Sequence, residues 1–107
     1  MDFEEYQKKV VDSAIYSKNG KDFIYPLFGL GGEVGELLNE VKKIVRRKNS
    51  GPNENEKNRI KDELGDVLWY LSQSATEFNL SLDEIARENI LKVTSEKHRD
   101  KVLSTLK

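Results

Sequence analysis

Two stretches of the sequence, GGEVGELLNEVKK and KDELGDVLWYL, each place two carboxylates three residues apart. They are Glu33 and Glu36 in the first stretch, and Glu63 and Asp66 in the second. Residues at this spacing share one face of a helix, so the acids of each pair would stand side by side. One such pair is common on exposed helix surfaces. Four converging carboxylates would repel one another unless a cation lay among them, and Mg²⁺ is the hard cation usual at phosphate chemistry.

Both stretches also carry the apolar periodicity of an amphipathic helix. In and around the first stretch, apolar residues recur at spacings of three and four: Leu27, Leu30, Val34, Leu37, Val41 and Ile44. In the second, the corresponding residues are Ile60, Leu64, Val67, Leu68, Leu71, Ala75 and Phe78. On a helical wheel the four acids lie beside these stripes rather than opposite them, which predicts half-buried carboxylates. Such carboxylates are costly unless they are paired or bind a metal, so two antiparallel helices would bring the acids together around one.

Start and stop signals predict two helices in the first half of the chain. Asp2 with Glu5 forms a capping box for the first helix, and the pair Asn19-Gly20 predicts its end. Residues 18–25 are predicted to form a loop. Pro26 then suits the first turn of the second helix, because proline is favoured there.

Four glycines fall inside the stripe of the second helix, at Gly29, Gly31, Gly32 and Gly35. Each costs about 1 kcal/mol relative to alanine within a helix. They therefore predict a close approach by another backbone or by a ligand. The alternative is a helix that begins near Gly32, with the glycines in an entry loop.

The second half of the chain predicts a third helix from about Glu54 to Phe78. Ser81 with Glu84 forms a capping box, which predicts the start of a fourth helix at the next residue. Beyond Thr94 the signal weakens, and the segment is either a short helix or a frayed tail.

The predicted fold is therefore a single all-α domain over residues 1–107, a bundle of four to five helices. Half-polar helix faces and gaps in the core predict that a homodimer or homotetramer completes the bundle. Trp69 lies away from the apolar stripe of its helix, where it suits a subunit contact better than a lone surface position.

Composition excludes several classes of protein. The chain has no cysteine, which excludes disulfides, zinc–thiolate sites and cysteine nucleophiles and suits a cytoplasmic protein. Its 18 basic residues against 19 acidic ones give no basic field for nucleic acid. No apolar run approaches the roughly 18 residues of a membrane span, and the polar N-terminus MDFEEYQKK is unlike a signal peptide. The single histidine, His98, disfavours a di-iron bundle, which needs Glu-x-x-His motifs.

The acidic motifs and their neighbours resemble the MazG-type, all-α nucleoside triphosphate pyrophosphohydrolases. The family pattern E-x-x-E followed by E-x-x-D is matched by GLGGEVGEL and DELGDVLWYL, with SLDEIARENILK as the next helix. This resemblance covers roughly residues 26–95. It implies a dimer or dimer of dimers, with Mg²⁺ held by Glu33, Glu36, Glu63 and Asp66 and Mn²⁺ as a substitute. The implied reaction splits a nucleoside triphosphate, either a dNTP or an NTP with an altered base, into the monophosphate and pyrophosphate.

The resemblance also implies roles for individual residues. Glu36 would orient the attacking water in addition to binding metal. Tyr70 would contact the sugar, and Asn89 and Lys92 would contact phosphate or sugar. Lys43 is a candidate phosphate ligand by its charge and location alone.

Two alternatives stay open at the level of sequence. The aromatic residues Phe23 and Tyr25 either cover the edge of the core or form the wall of a ligand pocket. The protein itself is either an enzyme or a metal-stabilised helical module that binds a nucleotide or a partner without turnover. The four intact acids favour the enzyme, because a binding-only relative could lose one of them freely.

Overall fold

The computed structural model of the chain describes residues 1–16, 22–47 and 51–106. These residues form five α-helices and a short 3₁₀ turn and contain no strand, which confirms the all-α prediction. In chain order the elements are α1 (Phe3–Val10), the 3₁₀ turn (Val11–Ser13), α2 (Ile24–Arg46), α3 (Glu54–Glu77), α4 (Leu82–Val93) and α5 (Glu96–Thr105). None of the described helices combines the length and apolar composition needed to cross a membrane.

The first helix ends at Val10, so the prediction that it runs to Asn19-Gly20 was wrong. The Val10 carbonyl accepts hydrogen bonds from Ser13 Oγ at 2.6 Å and from Gln73 Nε2 at 3.0 Å. The amide of Ala14 donates a hydrogen bond to the Val11 carbonyl at 3.1 Å instead, which closes the 3₁₀ turn. The predicted stop at residues 19–20 lies outside the described residues.

The second helix begins at Ile24, two residues before Pro26, so Tyr25 lies on a helix and not in the predicted loop. Pro26 falls in the first turn, where its missing N–H would have no partner within the helix. The alternative start near Gly32 was wrong, because α2 continues through all four glycines.

Helices α2 and α3 form an antiparallel hairpin and make the most extensive contact between elements. A buried carboxylate, Glu56, fixes the hairpin turn. The Asn53 and Glu56 side chains each accept the other's backbone N–H, at 2.8 and 3.0 Å, which is a capping box. Arg47 donates to Glu56 at 2.7 Å and to the Gly51 carbonyl at 3.0 Å. Its guanidinium lowers the pKa of Glu56, so this carboxylate is held charged where α3 begins.

The junction between α3 and α4 follows the sequence closely. Asn79 adopts a left-handed conformation with φ of 58°, and Leu80 donates back to the Ala75 carbonyl at 2.8 Å. This arrangement is a Schellman termination. Ser81 Oγ then accepts from the Glu84 amide at 3.2 Å and caps α4, which confirms the predicted start.

A single side chain of α1, Gln7, fastens α1 to this junction. It donates to Thr76 Oγ1 at 3.0 Å and to the Leu80 carbonyl at 2.9 Å. It also accepts from the Leu82 amide at 2.9 Å. The side chain thereby satisfies one of the free N–H groups at the start of α4.

The apolar core of the chain is thin. Among the described residues, Ala75 and Leu82 are the only buried hydrophobic side chains besides Pro26. The radius of gyration is 17.1 Å, whereas a compact domain of this size has about 13 Å. The chain is therefore extended around its central hairpin.

Each helix of the hairpin carries a row of partly exposed apolar side chains at intervals of seven residues, and α2 also exposes Phe28, Leu38 and Val45. The rows are Leu27, Val34 and Val41 on α2, and Leu64, Leu71 and Phe78 on α3. Their side chains are between 38% and 50% exposed. Leu27, Leu71 and Phe78 line the same groove, so the two rows belong to one face of the hairpin.

Candidate active site

Three of the four predicted acids converge where α2 and α3 pack together. Glu33 comes from α2, and Glu63 and Asp66 come from α3. One carboxylate oxygen of each residue lies within 4.8 Å of the others. Glu33 and Glu63 are half-buried and Asp66 is exposed, so two of these acids occupy the half-buried flank that the apolar periodicity predicts.

The fourth acid, Glu36, lies one turn further along α2 and is exposed. It stands outside the close group, although its charge contributes to raising the pKa of Glu33. The structure therefore separates a tight group of three carboxylates from a fourth at its rim.

The electrostatics of this group are unusual for surface acids. Burial raises the pKa of Glu33 to about 7, and the neighbouring carboxylates of Glu63, Asp66 and Glu36 add to the rise. With no cation to balance the charges, Glu33 therefore exchanges its proton near neutral pH, well above the range in which an ordinary carboxyl group does.

These residues fit a bound divalent cation. Oxygen Oε2 of Glu63 is buried, and no hydrogen-bond partner for it lies among the described residues. A buried acceptor without a donor costs roughly 1–3 kcal/mol. Lys43 and Arg59, which lie on the same two helices as the acids, pair with Glu40 at 3.4 and 3.3 Å. Carboxylate oxygens that converge in this way are the ligands that Mg²⁺ and Mn²⁺ prefer.

The raised pKa of Glu33 predicts opposite pH trends with and without metal. The pKa of Glu33 in the folded protein, about 7, is higher than the ordinary value for a glutamate. In the metal-free protein, the contribution of Glu33 to the free energy of unfolding is therefore complete below the ordinary pKa. It is lost as the pH rises through about 7. Metal binding needs the deprotonated form, so the increase in melting temperature caused by Mg²⁺ should grow from about pH 5.5 to about pH 8. Thermal unfolding with and without Mg²⁺ measures both trends. A Mg²⁺ effect that is constant across this range would contradict the prediction.

Four aromatic rings form a continuous wall in which the Tyr70 ring is the one beside the acids: Tyr16, Tyr25, Tyr70 and Trp69. Tyr25 stacks on Tyr16 with ring centroids 4.8 Å apart and lies 6.3 Å from Tyr70. Trp69 meets Tyr70 edge-on at 5.0 Å. Burial raises the pKa of Tyr70, and the Tyr25 hydroxyl and the acids Glu33 and Asp66 raise it further. Tyr70 therefore lies near the carboxylates, and its contact with the substrate stays a prediction.

The two aromatic residues that precede Pro26 have different surroundings. Phe23 packs against Phe78 at 5.5 Å, as in the core-edge alternative. Tyr25 instead stacks on Tyr16. Whether Tyr25 walls a ligand pocket stays a prediction.

The predicted substrate-binding residues on α4 lie on the protein surface. Asn89 and Lys92 are both exposed. Lys92 lines a groove at the junction of α4 and α5, together with Lys97, His98 and Lys101. The segment after Thr94, for which the sequence left two alternatives, is a helix. The structure does not bring Lys43, Asn89 or Lys92 into the group of three carboxylates.

Sequence reasoning missed several residues around the site. Arg59 lies four residues before Glu63, a spacing that could have indicated a shared helix face. Tyr16 donates a hydrogen bond to Glu77, and Trp69 Nε1 donates to Ser13 Oγ at 2.8 Å. The Trp69 contact lies within the chain, and the predicted subunit contact stays a prediction.

An α-helical hairpin with converging carboxylates and an aromatic wall defines a candidate site for metal-dependent chemistry on an anionic substrate. The family model of the MazG nucleotide pyrophosphohydrolase domain matches residues 27–101, which include all four acids. The chain is also 36% identical over 104 residues to the Gene 37 protein of Mycobacterium phage L5, covering 92% of this chain and 91% of that protein. The chain belongs to the MazG nucleotide pyrophosphohydrolase family. No solved structure matches it significantly.

Proposed function

We propose that this protein hydrolyses a nucleoside triphosphate between its α- and β-phosphates, giving the monophosphate and pyrophosphate. The substrate would be a dNTP or an NTP with a damaged or modified base, drawn from the cytoplasm. One observation carries the proposal: Glu33, Glu63 and Asp66 converge across two helices, and the buried Oε2 of Glu63 has no partner within residues 1–16, 22–47 and 51–106. That geometry suits a divalent cation, and the family is one of nucleotide pyrophosphohydrolases.

The three converging acids would hold the cation, and Glu36 would contribute from the rim. When bound, Mg²⁺ supplies positive charge that attracts the triphosphate oxygens and offsets charge on the leaving pyrophosphate. Mn²⁺, which also prefers oxygen ligands, would substitute. The carboxylates alone would repel such a substrate.

Glu36 is the residue we assign to the attacking water. It is exposed and stands outside the close group, so a carboxylate oxygen is available to accept a hydrogen bond from water. The water oxygen would bond to the α-phosphorus while the bond to the bridging oxygen breaks. Glu36 would orient this water and accept its proton.

The other predicted residues would bind the nucleotide. Tyr70 and the exposed ring of Tyr25 offer a surface for sugar and base beside the acids. Lys43, Asn89 and Lys92 offer donors for phosphate or sugar. Lys43 would have to exchange its partner Glu40; in this pair the lysine is exposed and the carboxylate is half-buried.

The apolar face of the hairpin supports the proposal that a homodimer or homotetramer is the working form. Two hairpins that pair through these rows would form a four-helix bundle, in which apolar side chains repeat at such intervals. A second copy of this chain offers the same apolar rows in return, as a two-fold interface requires.

The products of the reaction provide the direct test. With Mg²⁺, a panel of intact and base-modified NTPs and dNTPs should include a substrate that yields the monophosphate and pyrophosphate in equal amounts. Chromatography and a pyrophosphate assay measure both products. Release of inorganic phosphate with a diphosphate would contradict cleavage at the α-phosphate. Nucleotide binding with no product from any substrate would favour the binding module without turnover.

A further inference from the structure

Gly29 lies on α2, and the ring of Tyr70 occupies the space where a side chain at position 29 would begin. A Cβ atom built there would lie 2.1 Å from Cε1 of Tyr70, 2.5 Å from Cδ1 and 2.6 Å from Cζ. Carbon atoms in packed proteins stand roughly 3.5–4.0 Å apart. The Tyr70 ring therefore occupies space that any other residue at position 29 would fill.

The other glycines of α2 differ from Gly29 in this respect. A Cβ atom at Gly31, Gly32 or Gly35 would meet nothing within 4 Å. The sequence predicted a close approach by another backbone or by a ligand at these glycines, whereas the group that comes close to Gly29 is the Tyr70 side chain. The close contact at Gly29 therefore depends on the position of the Tyr70 ring. It is not a general property of this glycine-rich segment.

Tyr70 lies at the centre of the aromatic wall. Its ring contacts Trp69 and neighbours Tyr25, while Glu33 and Asp66 act electrostatically on its hydroxyl. A shift of this ring would alter the surface that a nucleotide meets beside the acids. The backbone of α2 would hold Glu33 in place, because it is fixed by its own hydrogen bonds and by packing on α3.

We propose that Gly29 is a positioning residue, whose lack of a side chain seats the Tyr70 ring against the α2 backbone so that it faces a nucleotide bound at the acids. The role in nucleotide binding rests on the proposed function. Gly29→Ala displaces the ring, since an aromatic side chain rotates more readily than a packed helix deforms. It leaves the carboxylate group intact.

Gly29→Ala and Gly32→Ala form a matched pair for the test. Both replace a glycine by alanine in α2, where alanine is the better helix former. Gly32→Ala should therefore raise the melting temperature and leave activity unchanged. Gly29→Ala should raise the melting temperature less, or lower it, because the new methyl group collides with Tyr70. In a Tyr70→Ala background, which has no ring, the two substitutions should raise the melting temperature equally.

Two further measurements connect the contact with function. Trp69 is the only tryptophan of the chain, and its emission should change in Gly29→Ala and stay constant in Gly32→Ala. For a nucleotide substrate, Gly29→Ala should raise KM several-fold, while the stabilisation by Mg²⁺ stays at the wild-type level.

Two outcomes would overturn the proposal. Equal gains in melting temperature for Gly29→Ala and Gly32→Ala, with unchanged Trp69 emission, would show that Gly29 does not seat the ring. An altered melting temperature with wild-type KM would show a purely structural role. If no variant hydrolyses any nucleotide, the proposed function fails, whereas the melting and emission measurements still decide whether Gly29 positions Tyr70.

Discussion

Replacing Glu36 by Gln, or Asp66 by Asn, should lower turnover at least about a hundredfold. Metal catalysis contributes several kcal/mol of transition-state stabilisation, and each 1.36 kcal/mol changes the rate about tenfold. Asp66→Asn removes one oxygen ligand from the close group of three. Glu36→Gln removes the carboxylate assigned to the attacking water. Steady-state release of pyrophosphate at saturating Mg²⁺ measures the loss, and near wild-type turnover in either variant would refute the proposed site.

The same two variants separate metal binding from water orientation. Both should fold, because removing a negative charge from a repelling group relieves strain in the metal-free protein. Their melting temperatures without metal should equal or exceed that of the wild type. Asp66→Asn should lose most of the stabilisation by Mg²⁺, whereas Glu36→Gln should lose less, because Glu36 lies outside the close group.

Matched controls and the double variant complete this test. Glu54→Gln makes the same chemical change at an exposed position at the start of α3, and Asp100→Asn does so on α5. Both should keep wild-type turnover. Because the acids act as one unit, the double variant of Glu36 and Asp66 should lower turnover by a factor much smaller than the product of the two single factors.

The helices and the flanking acids were predictable because their signals are local. Apolar spacings of three and four placed α2 and α3, and Ser81 marked the start of α4 three residues before the amide that it caps. The half-buried positions of Glu33 and Glu63 followed from the same periodicity, whereas the same prediction was wrong for Glu36 and Asp66, which are exposed. The resemblance of the acidic motifs to the MazG family was confirmed by the family match over residues 27–101.

Features that depend on contacts distant in sequence were not predictable. The first helix ends at Val10 partly because Gln73, 63 residues away, bonds to the Val10 carbonyl. The aromatic wall needs Tyr16 and Tyr25 to stack across the segment that precedes α2. Nothing in the glycine pattern distinguishes Gly29 from Gly31, because the difference lies in the Tyr70 ring on another helix.

Placing a charge in the exposed apolar rows should abolish self-association. Leu71→Glu or Val41→Glu puts a carboxylate on the face proposed to pair with a second copy. A two-fold interface repeats each substitution, and burying an unpaired charge costs several kcal/mol. The dissociation constant should therefore rise at least about a hundredfold, since each 1.4 kcal/mol is tenfold. Light scattering and sedimentation at micromolar concentration measure the change.

The matched control for this prediction is Leu91→Glu, on α4. Leu91 is 72% exposed and belongs to neither row, so the same substitution there should leave association unchanged. The wild type should then sediment as a dimer or tetramer and each row variant as a monomer. If a second copy completes the thin core as proposed, the row variants should also melt at lower temperature than Leu91→Glu. A wild-type chain that is monomeric and stably folded at micromolar concentration would show that the hairpin face needs no second copy, and the apolar rows would then need a different partner.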